Sequence, residues 1–327
     1  MLQTSNHLTR VTLPVITAPM FLVSSPDLVI ESCKAGIIGS FPTLNARTVD
    51  ILDDWMKRIT EELDEARQEN PHNEPAPWAV NLIVHRTNTR YGDDLERIKK
   101  YCPPVVITSL GNPGPVVNIV HEYGGLVFSD VSTVKHARKA AQTGVDGLIL
   151  VCNGAGGHAG TINPIAFMGA VKEFWEGIAI LAGCITNGQD ILAAEALGAD
   201  FAYMGTRFIA TAESFASSGY QEMLINSTLE DLIYTDVFSG VKANYLVPSI
   251  RKAGLDPENL QDKVSMDFSN KAEGDAKAWK DIWSAGQGIT TIKHVLPVAQ
   301  VVEQLQREYE AARNALLEKH RKMAPGV

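Results

Sequence analysis

The chain has 327 residues and a formal net charge of −9, so it lacks the basic face that nucleic acids and anionic membranes require. With 45% hydrophobic and 20% charged residues, it has the composition of an ordinary globular protein. We therefore expect a small-molecule substrate, with no nucleic-acid and no membrane partner. The length suits either one large α/β barrel with an insertion or two domains.

The N-terminal region and the cysteines predict the compartment. The apolar run near the start of the chain is short and is broken by Pro14 and Pro19, which suits neither a signal peptide nor a membrane span. Four widely spaced cysteines form no C-x-x-C pair and have no histidine at zinc-ligand spacing: Cys33, Cys102, Cys152 and Cys184. We expect reduced thiols, no metal site and a cytoplasmic protein.

Short apolar runs alternate with helical patterns through the first two thirds of the chain. The runs are too short for helices and lack polar alternation, which is typical of strands buried on both faces of a parallel sheet. Eight such strands favour a TIM (β/α)8 barrel over an open sheet. The predicted strands are 13–20, 36–41, 78–84, 105–111, 125–130, 147–152, 178–184 and 201–206. The predicted helices are 26–34, 47–69, 93–100, 114–122, 134–143 and 191–197.

The alternation stops after the eighth strand. Residues 219–233 and 272–283 have helical patterns, which predict a smaller, mainly helical insertion that covers the barrel mouth. A peripheral cap without ligand contact is the alternative. A final helix over 295–319 carries one apolar stripe, which packs on the barrel or, alternatively, forms the seam of a homodimer. The expected units are a barrel core (1–212), the insertion (213–285) and a return loop with the final helix (286–327).

The stretch 152–161 follows the sixth strand and contains four glycines and His158. Glycines let the backbone approach a flat or phosphorylated ligand closely, and a histidine exchanges a proton near neutral pH. The stretch also has a loose Gly-x-Gly-x-x-Ala pattern, but Asn163-Pro164 follows instead of a helix, so a dinucleotide fingerprint is disfavoured. We interpret the stretch as an active-site loop with His158 catalytic. A histidine that only binds backbone groups is the alternative.

Further features point to a ligand at the strand ends. The loops 183–188 and Gly205-Thr206 follow the seventh and eighth strands, where barrels of this class frequently hold a phosphate on backbone N–H groups. Ordinary βα turns are the alternative interpretation. Asn81 interrupts the apolar third strand, so its amide needs a hydrogen-bond partner, for which a ligand edge is one candidate. In the segment 279–288, Gln287 stands beside three small or flexible residues, which suggests a loop that returns to a cofactor.

Several segments spread over nearly the whole chain carry a family resemblance. They are Ala18-Pro-Met20, Asn81, Ala155-Gly-Gly-His-Ala-Gly160, Ala182-Gly-Cys184, the segment 199–208 with Met-Gly-Thr-Arg-Phe, and Trp283-Ser-Ala-Gly-Gln-Gly288. Together they resemble the nitronate monooxygenase family, formerly called 2-nitropropane dioxygenases. The same broad group includes flavin-dependent NADH:quinone reductases and FMN-type enoyl-acyl-carrier-protein reductases.

The resemblance implies FMN, bound without a covalent link at the C-terminal mouth of the barrel. It places Ala18, Pro19 and Met20 against the isoalloxazine ring and Asn81 at the edge of that ring. It implies that His158 acts as a base or as a hydrogen-bond donor to the nitro or carbonyl oxygens of the substrate. The remaining residues that it assigns to FMN lie close to the flavin or hold the phosphate: Gly156, Gly157, Ala182, Gly183, Cys184, Gly205 and Thr206.

Two residues depart from the family pattern. Asp130 stands after the fifth strand where many relatives have a lysine, so it places an anion or a neutral acid near the flavin. Cys184 replaces the second glycine of a Gly-Gly pair, and its side chain narrows the expected phosphate-binding site. The first change affects how strongly an anionic ligand is stabilised.

Three hypotheses about function follow. The first is an FMN-dependent nitronate monooxygenase, which oxidises an alkyl nitronate with O2 to a carbonyl compound and nitrite. The second keeps FMN, with NAD(P)H as electron donor and a quinone or an enoyl thioester as acceptor. The third is a phosphate-binding barrel without a flavin.

Overall fold

A computed structural model of the chain describes residues 8–260 and 281–323. In chain order, the strands are β1 (Val15–Thr17), β2 (Gly39–Pro42), β3 (Trp78–Ile83), β4 (Val105–Ser109), β5 (Leu126–Val131), β6 (Gly147–Val151), β7 (Gly157–His158), β8 (Ile178–Ala182), β9 (Phe201–Met204), β10 (Leu232–Thr235) and β11 (Ala243–Leu246). The helices are α1 (Pro26–Lys34), α2 (Val49–Glu69), α3 (Tyr91–Tyr101), α4 (Gly114–Glu122), α5 (Val134–Ala141), α6 (Pro164–Lys172), α7 (Gly188–Ala196), α8 (Thr206–Ile209), α9 (Ser218–Asn226), α10 (Val247–Lys252) and α11 (Val298–Met323). Short 3-10 turns occur at Leu8–Arg10, Thr43–Asn45, Leu229–Asp231 and Gln287–Thr291.

Eight of the strands form one parallel sheet in the order β1-β9-β8-β6-β5-β4-β3-β2. A parallel bridge between Ile16 and Ile38 joins the first strand to the second, so the sheet closes on itself. Helices follow the strands along the chain and cover the outside of the sheet. The predicted TIM barrel is therefore confirmed.

The barrel strands are apolar throughout because both of their faces are buried. One cluster fills the barrel interior and includes Ile107, Phe128 and Ile149. A larger cluster lies between the strands and the helices and includes Val106 and Val127. Successive side chains of a strand point to opposite faces, so neighbouring residues of β4 and β5 belong to different clusters.

The helices follow from their own patterns and caps. In α2, the buried residues Leu52, Met56, Ile59 and Leu63 recur at three- and four-residue spacing, which places them on one face. Thr48 caps the start of α2, because its side chain accepts a hydrogen bond from the N–H of Ile51. Within the described ranges 8–260 and 281–323, no helix combines the length and the apolar character needed to cross a membrane.

The insertion contains a small antiparallel sheet, which the sequence did not predict. The helix predicted over 219–233 ends at Asn226, and Leu232–Thr235 form β10 instead. Strand β10 pairs with β11, and β11 pairs with β7. The run Leu-Ile-Tyr-Thr has β-branched and aromatic side chains, which favour a strand once a partner strand is present. Most of the helix predicted over 272–283 lies outside the described residues.

The final helix, α11, packs on the outside of the barrel against α7. The two helices come very close at Gly188, because a Cβ at this position would lie 2.1 Å from the backbone nitrogen of Tyr309. Leu305 is buried in the same contact region and belongs to the main apolar cluster. Helix α11 thereby covers the outer side of α7.

Candidate active site

A cavity of about 1550 Å³ lies at the carboxyl ends of the barrel strands. Its lining includes residues that follow or end β1, β6, β8 and β9, such as Ala18, Val151, Ala182 and Thr206. This end of a TIM barrel carries the active site in characterised enzymes of the fold. We therefore take the cavity as the candidate site.

Nearly all residues that the sequence assigned to a site meet in this cavity. Those that line it are Ala18, Pro19, Met20, Asn81, Asp130, Gly156, Gly157, His158, Ala182, Gly183, Cys184, Gly205 and Thr206. Gln287 lies beside it: its backbone N–H donates to the carbonyl of Gly154 at 2.8 Å, and its Oε1 is 3.9 Å from Cys184 Sγ. Gln287 thus joins the return loop to the loop 152–161, which we call the glycine loop.

Four polar side chains form the floor of the cavity, and we call Asn81, Ser109, Asp130 and Tyr203 the polar floor. Asn81 Nδ2 donates to Ser109 Oγ at 2.6 Å, and Ser109 Oγ donates to Asp130 Oδ2 at 2.5 Å. The other carboxyl oxygen, Asp130 Oδ1, and the Tyr203 hydroxyl are both buried without a hydrogen-bond partner among the described residues. Since buried polar atoms are rarely left unpaired, these two atoms indicate a polar ligand at the floor.

Burial raises the pKa of Asp130 to about 6, although the hydrogen bond from Ser109 acts in the opposite direction. Burial also raises the pKa of Tyr203 well above its ordinary value, and the nearby Asp130 adds to that effect. Tyr203 is thus a neutral hydroxyl at physiological pH. Sequence reasoning missed Ser109 and Tyr203. Each lies two residues beyond an inward apolar residue of its strand, Ile107 or Phe201, and this alternation is the signal that could have found them.

The glycine loop is held against the insertion by a β-ladder. His158 is paired with Ala243 and Gly157 with Asn244, and the N–H of Ala159 donates to the carbonyl of Lys242 at 3.1 Å. His158 Nε2 lies 3.3 Å from the Ser239 hydroxyl. Burial lowers the pKa of His158 to about 4, so the ring is neutral at pH 7.

The ends of β8 and β9 form a cup lined by backbone. Gly183 has φ +125°, a conformation that favours glycine, and it is followed by Cys184 at φ +61°. The Thr206 hydroxyl accepts a hydrogen bond from the N–H of Gly286 at 2.8 Å, which ties the return loop to the cup. A side chain at Gly156 would not fit, because its Cβ would lie 2.9 Å from the nitrogen of Gly286.

Strained backbone concentrates around the cavity. Leu22, Leu110 and Cys184 all have φ between +61° and +64°, in the left-handed region that non-glycine residues rarely adopt, and all three line the cavity. Such conformations persist where the surrounding structure imposes them, and they cluster at functional sites. For the first of them the constraint is visible, because Asn45 Oδ1 accepts from the N–H of Leu22 at 2.9 Å. Asn45 also donates to the carbonyl of Met20 at 3.0 Å, so this loop is fixed from both sides.

The comparisons with known proteins identify the family. A family model described as nitronate monooxygenase matches residues 3–308. The chain belongs to the nitronate monooxygenase family. It is accordingly an oxidoreductase, and the resemblance recognised in the sequence is confirmed. A nitronate monooxygenase from Paraburkholderia phytofirmans is 27% identical over 90% of this chain and 92% of its own length.

Solved structures share the fold of this family member. A nitroalkane oxidase from Streptomyces ansochromogenes superposes with a TM-score of 0.78 at 24% identity, over 94% of this chain and 99% of the other. FabK from Thermotoga maritima superposes with a TM-score of 0.76 at 23% identity, over 95% of this chain and 97% of the other. At these identities the superpositions show that the barrel is shared.

Proposed function

We propose that the chain is an FMN-dependent nitronate monooxygenase, which oxidises alkyl nitronates with O2 to a carbonyl compound and nitrite. The observation that carries the proposal is the position of His158. Its neutral ring borders the same cavity as the polar floor and the backbone cup, at the mouth of a nitronate monooxygenase barrel. A titratable ring next to a large cavity can donate a proton to a small substrate or accept one from it.

The residues of the cavity are compatible with FMN. The volume of about 1550 Å³ exceeds the roughly 300–1000 Å³ of common ligand sites, so a cofactor and a substrate have room together. The backbone cup at the ends of β8 and β9 suits a phosphate, and Thr206 retains a hydroxyl proton to donate to it. The unpartnered Asp130 Oδ1 and Tyr203 hydroxyl suit the polar edge of a flat heterocycle.

The proposed assignments follow the layout of the cavity. Ala18, Pro19 and Met20 would contact the flat ring of FMN, and Asn81 and Asp130 would hold its polar edge. The glycine loop and the cup would bind the rest of the cofactor, and Gln287 would act indirectly by positioning the return loop. The residues of the glycine loop and the cup that are assigned to FMN are Gly156, Gly157, Ala182, Gly183, Cys184, Gly205 and Thr206. When bound, FMN supplies the oxidation of the nitronate and the reaction with O2, while the protein supplies position and electrostatics.

His158 compensates the negative charge of the nitronate. The low pKa of His158 results from burial, which disfavours the imidazolium ion. A nitronate is an anion, and a nearby anion favours the charged ring, so substrate binding offsets the effect of burial. A neutral nitroalkane reaches the same ion pair when His158 removes its α-proton as general base. We therefore expect the nitronate to react without proton removal and the nitroalkane to depend on His158 as a base.

The first test is FMN binding, followed by turnover. The purified protein should take up FMN and then oxidise an alkyl nitronate with release of nitrite. His158→Asn should lower turnover on the nitroalkane by about 100-fold or more and on the nitronate by less. His72→Asn, at an exposed position, is the matched control. If His158→Asn turned over both substrates at the wild-type rate, the role assigned to His158 would be wrong. A protein that takes up no FMN would contradict the proposal and would support the alternative of a phosphate-binding barrel without a flavin.

A further inference from the structure

One hydroxyl of the insertion contacts the imidazole of His158. Ser239 lies in the loop between β10 and β11, and its Oγ is 3.3 Å from His158 Nε2. The same Oγ is 2.9 Å from the carbonyl oxygen of Val241 and 3.1 Å from the hydroxyl of Tyr245. Three partners around one hydroxyl restrict the places where the protons can lie.

A serine hydroxyl has one proton to donate and two lone pairs that accept. The carbonyl of Val241 can only accept, and it is the shortest of the three contacts, so the proton of Ser239 goes there. Tyr245 must then donate to Ser239. The remaining lone pair faces His158 Nε2, which must bring its own proton. The opposite arrangement would direct the serine proton to Nε2 along the longer contact and away from the carbonyl.

We propose that Ser239, oriented by Tyr245, is a positioning residue that holds the neutral ring of His158 in the Nε2–H tautomer, so that Nδ1 is the nitrogen that takes up a proton. A neutral imidazole has one N–H and one acceptor nitrogen, so fixing the proton on Nε2 leaves Nδ1 as the acceptor. The tautomer itself does not depend on the reaction. Its role in catalysis rests on the proposed function.

The surroundings of Ser239 are ordered enough to hold this arrangement. Tyr245 is fully buried on β11, with the ring of Phe238 packed edge-on at a centroid distance of 5.1 Å. Burial raises the pKa of Tyr245 to about 12, so its hydroxyl keeps the proton that it donates. The ladder between β7 and β11 fixes the backbone of His158 relative to the strand that carries Tyr245.

With either substrate, His158 reaches the same protonated state. With a nitroalkane, the α C–H bond breaks, its electron pair remains on the substrate as the nitronate, and the proton forms a bond to Nδ1 of His158. With a preformed nitronate, Nδ1 takes the proton from solvent as the anion binds. In both cases the ring becomes an imidazolium whose Nδ1–H can donate to the nitronate, while Nε2–H stays on Ser239.

The direct test is nitrogen-15 NMR of histidine-labelled protein without flavin at pH 7. The resonances of His158 are those lost in His158→Asn. We expect the pair of chemical shifts typical of a protonated Nε2 and an unprotonated Nδ1. A protonated Nδ1, or an even mixture of tautomers, would overturn the proposal. Because no flavin and no turnover are needed, this result is independent of the proposed function.

Variants then test Ser239 itself. Ser239→Ala removes one hydrogen bond and should change the tautomer ratio by roughly fivefold, whereas Ser239→Thr should retain the wild-type ratio. Tyr234→Phe is the matched control, because the Tyr234 hydroxyl donates to the carbonyls of Ala159 and Gly160 and anchors the same loop without contacting Ser239. An equal change in Tyr234→Phe and Ser239→Ala would mean that loop anchoring, and not the hydroxyl, sets the tautomer.

Turnover measurements distinguish a failure of the positioning role of Ser239 from a failure of the proposed function. In FMN-loaded enzyme, Ser239→Ala should lower kcat on a nitroalkane by about tenfold and on the nitronate by less, because only the nitroalkane needs Nδ1 as a base. Equal losses on both substrates would contradict the positioning role. If the wild-type protein has the Nε2–H tautomer but oxidises neither substrate, the proposed function fails and the tautomer stands.

Discussion

Asp130 is a half-buried residue of the polar floor, and replacing it with asparagine should change the stability by an amount that depends on pH. Its pKa is about 6 in the folded protein and 3.8 ordinarily. Between these values the folded state binds more protons than the unfolded state, so stability falls as pH rises from about 4 to about 6. Asparagine keeps an oxygen that accepts from Ser109, but it never ionises. The variant should therefore avoid this loss.

The gap between 3.8 and about 6 corresponds to at most about 3 kcal/mol, at about 1.4 kcal/mol per pKa unit. The figure is an upper bound because Asp130 borders the cavity and is partly exposed to it. Relative to wild type, Asp130→Asn should gain up to that amount between pH 4 and pH 7. At pH 4 both proteins carry a neutral side chain at this position, so the gain should begin near that pH.

The assay is chemical denaturation of the flavin-free protein and of the variant at several pH values from 4 to 7.5. Asp54→Asn, at an exposed position on α2, is the matched control for the loss of one carboxylate at the surface. A stability difference between Asp130→Asn and wild type that is the same at pH 4 and pH 7 would refute the reasoning. So would a difference that grows as pH falls.

Three further substitutions test the cavity wall and the core. Cys184→Gly should raise the free energy of unfolding by about 1 kcal/mol, since a side chain at φ +61° is strained; a loss of stability in denaturation would contradict this. Gly156→Ala should cost about 1–3 kcal/mol and weaken FMN binding, because its Cβ meets the nitrogen of Gly286; an unchanged Kd by fluorescence titration would refute it. Met56→Ala should cost about 2–5 kcal/mol and the exposed Lys57→Ala less than about 0.5, by thermal or chemical unfolding; similar losses for both would show that burial on α2 is misassigned.

The barrel was predictable because its strands are buried on both faces and therefore read as continuous apolar runs. Residues such as Val106 and Ile107 lie in different clusters, yet both must be apolar. Periodicity also predicted α2, whose buried stripe runs from Leu52 to Leu63, over about three turns. The strand β10 was not predictable, because the segment after α9 becomes a strand only through pairing with β11. Strand β11 pairs in turn with β7, which lies far away in the sequence, so this sheet leaves no local signal at β10.

Part of the site, like part of the fold, was predictable from the sequence, and the rest was not. Glycine density identified the loop around His158 and the cup at Gly183, because backbone that approaches a ligand needs glycine in any context. Ser109 was missed although the alternation along its strand points it inward, and Ser239 was missed because a single serine in a loop has no distinctive pattern. Their importance comes from barrel closure and from the ladder that brings the insertion over the cavity. The pKa values of Asp130 and His158 likewise follow from burial, which the sequence alone does not specify.

The central claim is that this cavity binds FMN and transfers electrons to it from a nitronate. The most direct measurement is anaerobic mixing of the FMN-loaded protein with an alkyl nitronate and, separately, with NADH, while the visible absorbance of the flavin is followed. Rapid bleaching by the nitronate, with NADH far slower, is the predicted result. Rapid bleaching by NADH and none by the nitronate would contradict the account and would favour a reductase.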